Sequence, residues 1–109
     1  MSRATDLTST ANDTKWDELR LAMYGLDDSP QFRCQTLAGH YSSADSEWFY
    51  HFREGGYDDI RFVDILISSQ GQRTVVLSAL RRIGLAGDET DQGFRVYGYT
   101  EPGQTISHF

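Results

Sequence analysis

Residues 48–67 read WFYHFREGGYDDIRFVDILI, and the fold of this stretch decides how the rest of the chain is arranged. Trp48, Tyr50 and Phe52 alternate with Phe49 and His51, which is the period of a strand with two faces. Ile60 to Ile67 is the most apolar run in the chain and reads as a central strand. Gly55-Gly56 between them is a turn signal. The pattern predicts a β-hairpin. Trp48, Tyr50 and Phe52 would face the core, and the tip would expose Glu54, Tyr57, Asp58 and Asp59.

On the N-terminal side, Phe32 to Leu37 mostly alternates and reads as a short strand, joined to the hairpin by a small polar connection from Ala38 to Ser46. Before it, Trp16, Leu19, Met23 and Leu26 recur at helical spacing. Thr14 and Asp17 resemble a capping pair, so the helix is expected from about Lys15 to Tyr24, with Gly25 as its stop. On the C-terminal side, Val76, Leu77, Leu80 and Ile83 mark a second helix, with Gly84 and Gly87 as candidate stops. Gly87 to Gly93 reads as an acidic loop, and Phe94 to Tyr99 as a last strand.

The expected order is α-β-β-β-α-β. Hairpin-length links make consecutive strands antiparallel. The fold class is α+β: a two-layer domain with an antiparallel sheet of about four strands and two helices on one face. Residues 1–12 are polar and weakly patterned and are expected to form a flexible N-terminal arm, leaving residues 13–109 as a single domain.

The charge balance narrows the function. Sixteen acidic against ten basic residues give a net charge of −6. Such a surface repels nucleic acid and anionic membranes and permits a basic partner. The basic residues are nine arginines and Lys15, scattered along the chain. A single cysteine, Cys34, excludes an internal disulfide and reads as a small buried hydrophobe. There is no apolar run of membrane-spanning length and no apolar leader, so a cytoplasmic protein is expected.

Three kinds of site compete for the aromatic stretch. His51 with Glu54, Asp58, Asp59 or Asp64 could form a histidine–carboxylate pair for acid–base work. No nucleophile motif or phosphate-binding loop accompanies it, so catalysis is not expected. The acidic residues lack the spacing of a calcium loop and the Cys/His pattern of a zinc site, so no metal or cofactor is expected. The rings could stack bases, but their carboxylate neighbours oppose nucleic acid. Protein binding remains. It needs no deep cavity, and aromatic and arginine side chains suit it.

The segments TKWDEL (Thr14–Leu19), EWFYHF (Glu47–Phe52), GGY and DIRFVDI (Asp59–Ile65) resemble a family of small bacterial proteins of uncharacterised function, over roughly Thr14 to Tyr99. Small acidic domains of this style also resemble the immunity proteins of bacterial toxin systems. That resemblance implies an antitoxin-type protein that occludes the active or target-binding surface of a cognate, basic toxin. The expected contacts are Glu54, Tyr57, Asp58 and Asp59 at the hairpin, Asp88, Glu89 and Asp91 in the later loop, and Tyr97 on the open sheet face. The alternative is a small enzyme or ligand-binding domain built on His51 and nearby carboxylates.

Overall fold

A computed structural model of the chain describes residues 7–54, 56–105 and 107–109. Its elements are β1 (Thr8–Ser9), α1 (Asp13–Tyr24), β2 (Gln31–Thr36), β3 (Ile60–Leu66), α2 (Gln70–Ile83), β4 (Gly87–Thr90), β5 (Gly93–Tyr97) and β6 (Tyr99–Thr100). Four strands form an antiparallel sheet in the order β2-β3-β5-β4, while β1 and β6 form a separate pair.

Each helix starts on a side-chain cap. The Asn12 side chain accepts the Lys15 N–H at 2.9 Å, so α1 begins earlier than the Thr14–Asp17 pair suggests. Ser69 caps α2 by accepting the Gln72 N–H at 3.1 Å. Gly84 ends α2 in the left-handed conformation (φ 80°), which glycine adopts without the steric cost of a Cβ.

The helices cover one face of the sheet. Trp16, Leu19 and Met23 of α1, with Val76, Ala79, Leu80 and Ile83 of α2, pack into one core with Phe32, Val63, Ile65, Phe94 and Val96. The two-layer α+β architecture with a four-stranded antiparallel sheet is therefore as the sequence implies. Its membership is not. Both edges of β3 are occupied, by β2 through Phe32↔Ile65 and by β5 through Phe94↔Ile65. No place beside β3 is left for a strand at residues 48–52.

Residues 48–54 form successive turns instead. The Arg53 and Glu54 N–H groups donate to the carbonyls three residues back, Tyr50 and His51. Trp48 and Phe52 are buried, but Tyr50 is 71% exposed. The buried pair is thus spaced four residues apart, the interval of a helical turn rather than of a strand.

The fourth strand comes from the segment expected to be an acidic loop. Gly87–Thr90 pairs with β5 from Gly87↔Val96 to Thr90↔Gly93, and Asp91 and Gln92 form the connecting turn. Gly93 allows this hairpin to lie beside β3, since a side chain there would collide with the Ile65 carbonyl oxygen. Part of the expected arm is paired as well: Thr8 and Ser9 lie opposite Thr100 and Tyr99, and the Thr10 N–H donates to the Gly98 carbonyl at 2.9 Å. Residues 1–6 of that arm, and Gly55 of the expected hairpin turn, lie outside the described residues.

Leu80 is fully buried between the helices and the sheet. Leu80→Ala should lower the unfolding free energy by about 2–5 kcal/mol in chemical denaturation. An unchanged midpoint would remove α2 from the core.

Candidate functional site

The segment from Asp45 to Glu54 is built by its own carboxylates. Asp45 exchanges two backbone hydrogen bonds with Phe32 at 2.8 and 3.0 Å, which seats it beside the outer edge of β2. Its Oδ1 accepts the Glu47 N–H at 2.8 Å. Glu47 Oε1 then accepts the Tyr50 and His51 N–H groups at 2.8 and 3.0 Å. These bonds satisfy donors that a strand would have satisfied through a neighbour. Trp48 fixes the whole segment from inside, donating its indole N–H to the Pro30 carbonyl at 2.8 Å.

A cleft of about 570 Å³ opens between this segment and the end of the sheet. Phe32, Phe52 and Ile60 supply apolar lining, and Asp45, His51, Glu54 and Asp59 supply charge. Among the described residues, neither lysine nor arginine lines it. His51 Nδ1 lies 2.7 Å from Asp45 Oδ2. The hydrogen bond and charge of Asp45 raise the His51 pKa above its ordinary value, helped by Glu47 and Glu54. Burial alone would push the Asp45 carboxyl up. The Glu47 N–H and the His51 partner outweigh it and hold that carboxyl below the usual range.

The pair orients the imidazole and favours its protonated form. Cys34 also lines the cleft, but it is no partner for such chemistry. Burial and the surrounding carboxylates Asp59, Asp45 and Asp64 push its thiol up to about 12, so it stays protonated. Among the described residues, no group of three or more His, Cys, Asp or Glu side chains could hold a metal ion.

The open face of the sheet carries a second ordered feature. Register aligns Arg33, Asp64, Arg95 and Asp88 in one row across all four strands. Arg95 grips Asp64 through two bonds, Nε–Oδ1 at 2.7 Å and Nη2–Oδ2 at 3.0 Å. The Tyr41 hydroxyl donates to Asp64 Oδ2 at 2.5 Å, and the Tyr97 hydroxyl to Asp88 at 2.9 Å. Arg33 stacks on Tyr41 at 4.0 Å and Arg95 on Phe62 at 3.9 Å. Asp64 and Arg95 neutralise each other, Arg33 donates to the Ser42 carbonyl at 2.7 Å, and Asp88 accepts from Tyr97, so the row braces the sheet.

The residues expected to contact a partner fall into separate places. Glu54 and Asp59 line the cleft, and Asp58 lines a smaller hollow beside α1. Tyr57 points inward, packing on Trp16 and Phe52 and donating to Asp17 at 2.6 Å. Asp88 and Tyr97 belong to the open face, whereas Glu89 lies on the helical side, paired with Arg73. Asp91 sits in the β4–β5 turn, at the far end of β3 from Asp59. The seven residues of β3 separate those ends, about 20 Å along the strand. Nothing in the sequence pattern singles out Tyr41, although it bonds Asp64. The one signal for Asp45 was a carboxylate two residues before Glu47, ahead of an aromatic pair spaced by four.

The fold and these surfaces define a small two-layer α+β domain with an open sheet face and an acidic cleft. The chain belongs to DUF6678, a family of unknown function, which it matches over residues 1–103. No curated protein and no solved structure matches it. No described helix is long and apolar enough to cross a membrane.

The His51–Asp45 pair gives a pH signature. The raised histidine contributes stability below its ordinary pKa, near 6.5, and loses it as pH rises through the higher folded value. The depressed aspartate contributes above its ordinary carboxyl pKa and loses that as pH falls through its lower folded value. Asp45→Asn should therefore return the His51 pKa toward its ordinary value in an NMR titration of the imidazole protons. A wild-type value equal to that of the variant would show that the pair does not form.

Proposed function

We propose that the chain is a non-catalytic, acidic protein-binding domain of the immunity or antitoxin type, acting by covering a surface of a basic protein partner. The observation that carries this reading is the cleft beside Asp45–Glu54: three carboxylates, Asp45, Glu54 and Asp59, line an apolar hollow that no described lysine or arginine lines. Such a hollow suits the aliphatic stem and cationic head of a partner's Lys or Arg. Its size lies within the range of ligand sites, and the chain's overall −6 charge would speed the approach of a basic partner. A toxin encoded by the adjacent gene is the partner to try first.

The second reading is a small enzyme or ligand-binding domain. It is favoured by the 2.7 Å His51–Asp45 pair in the same cleft, which has the geometry of an oriented acid–base group. Cys34 in the same cleft gives the pair no thiolate nucleophile, since its thiol is held protonated.

Surface-plasmon kinetics against the product of the neighbouring gene test the proposal. Glu54→Lys with Asp59→Lys should slow association and weaken its salt dependence, because exposed charges act over roughly 8–10 Å at physiological ionic strength. Binding indifferent to both salt and these reversals would overturn the cleft's role. A hydrolase or transferase activity lost in His51→Ala would establish the second reading instead.

A further inference from the structure

The segment that walls the cleft has a second, outward side. Phe49 stacks between Tyr24 and Tyr50, with ring centroids 4.9 Å from each. Tyr50 is 71% exposed, Tyr24 56% and Leu21 49%. Leu21 and Tyr24 are three residues apart on α1, so they emerge on one side of the helix. This arrangement is held from beneath. The buried Arg20 donates to the Phe49 carbonyl at 2.7 Å and lies 4.8 Å from the centre of its ring. Large aromatic side chains left this exposed add little to the core, and clustered exposed rings mark interaction surfaces.

The charge around the rings selects the occupant. Asp17 lies one helical turn before Leu21, and Glu47 is bonded to the Tyr50 backbone. Tyr24 is the last residue of α1, whose final turn contains no basic residue, so the negative end of the helix dipole is uncompensated there. Asp27 and Asp28 follow in the next turn and are both exposed. Among the described residues, the cations set against these carboxylates are Arg20, which is buried, and the exposed Arg53. A ring face in a negative surround attracts guanidinium or ammonium groups, as Arg20 already does from the inside.

We infer that Leu21, Tyr24, Phe49 and Tyr50 form a docking surface for an extended, arginine- or lysine-rich segment of a partner protein, whose cations stack on Tyr24 and Tyr50. This surface is distinct from the cleft. It shares with the proposed function only the sign of the partner's charge, and that part of the inference rests on that reading.

The test is anisotropy of fluorescein-labelled hexa-arginine amide titrated with the protein at low salt, with labelled hexa-citrulline as the uncharged isostere. Tyr24→Ser with Tyr50→Ser keeps the net charge and should weaken hexa-arginine binding roughly tenfold, as expected for two lost cation–π contacts. Tyr24→Phe with Tyr50→Phe keeps both rings and should bind as the wild type does. Tyr50→Ser alone, at the most exposed position, keeps the test available if the double variant unfolds. Glu54→Gln with Asp59→Asn should cost no more affinity than Asp88→Asn with Asp91→Asn, which removes the same charge elsewhere. Unchanged binding by the serine variants, or equal loss in the phenylalanine pair, would overturn the docking surface. Loss confined to the Glu54/Asp59 pair would move the peptide into the cleft and leave the basic-partner reading standing. Equal binding of the two peptides would sink that reading itself.

Discussion

Burial of the Trp48 indole is the interaction on which the functional side of the domain depends. The ring is 1% exposed, lies 4.4 Å from Phe32 and 4.9 Å from Phe52 between centroids, and gives its N–H to the Pro30 carbonyl. A buried tryptophan of this kind contributes on the order of 3–5 kcal/mol relative to alanine. It also joins two parts of the chain that share no ladder, the start of β2 and the segment after Asp45. With Trp48 and Phe52 committed inward, the residues between them have no choice of direction. Phe49 and Tyr50 face outward, and His51 faces the cleft beside Asp45.

The elements legible in the sequence were those whose periodicity is enforced by burial. Trp16, Leu19 and Met23, and Val76, Leu80 and Ile83, line up because each helix presents one stripe to the sheet. Val63 and Ile65 face the helices, while Phe62 and Asp64 face away, so β3 was visible as a central strand. The aromatic run was misleading for a physical reason. Alternation of Trp48, Tyr50 and Phe52 fits a strand only if a neighbouring strand can pair with it, and β2 and β5 already fill both edges of β3. Spacing of Trp48 and Phe52 by four, with Glu47 placed to take the Tyr50 and His51 N–H groups, was the competing signal. β4 was obscure for the opposite reason. Its sequence, GDET, has no apolar alternation, because Asp88 faces Arg95 on the open side and Glu89 meets Arg73 at the edge.

Of the candidate site, the charged residues were legible but their grouping was not. Glu54 and Asp59 meet at one cleft because β2 and β3 end together there, with the Leu37 N–H donating to the Asp59 carbonyl at 2.8 Å. Asp88 and Asp91 depend on a hairpin whose existence the acidic composition concealed. The Asp64–Arg95 pair is a different kind of constraint. A mostly buried carboxylate held by a bidentate arginine and a tyrosine hydroxyl adds little net stability over apolar residues, yet removal of one partner is costly. It fixes the lateral alignment of β3 and β5, and the cleft at the end of those strands inherits that alignment.

The anchoring of residues 48–54 by Trp48 is tested most directly by NMR of the isotope-labelled protein. The indole Nε1–H should exchange slowly with solvent and show nuclear Overhauser contacts to Pro30 and Phe32, while the Tyr50 ring shows none to the core. Cross-strand Hα–Hα contacts between residues 48–52 and 60–66, with a rapidly exchanging indole, would contradict it. They would return the segment to a hairpin and dissolve both the cleft and the outward aromatic surface.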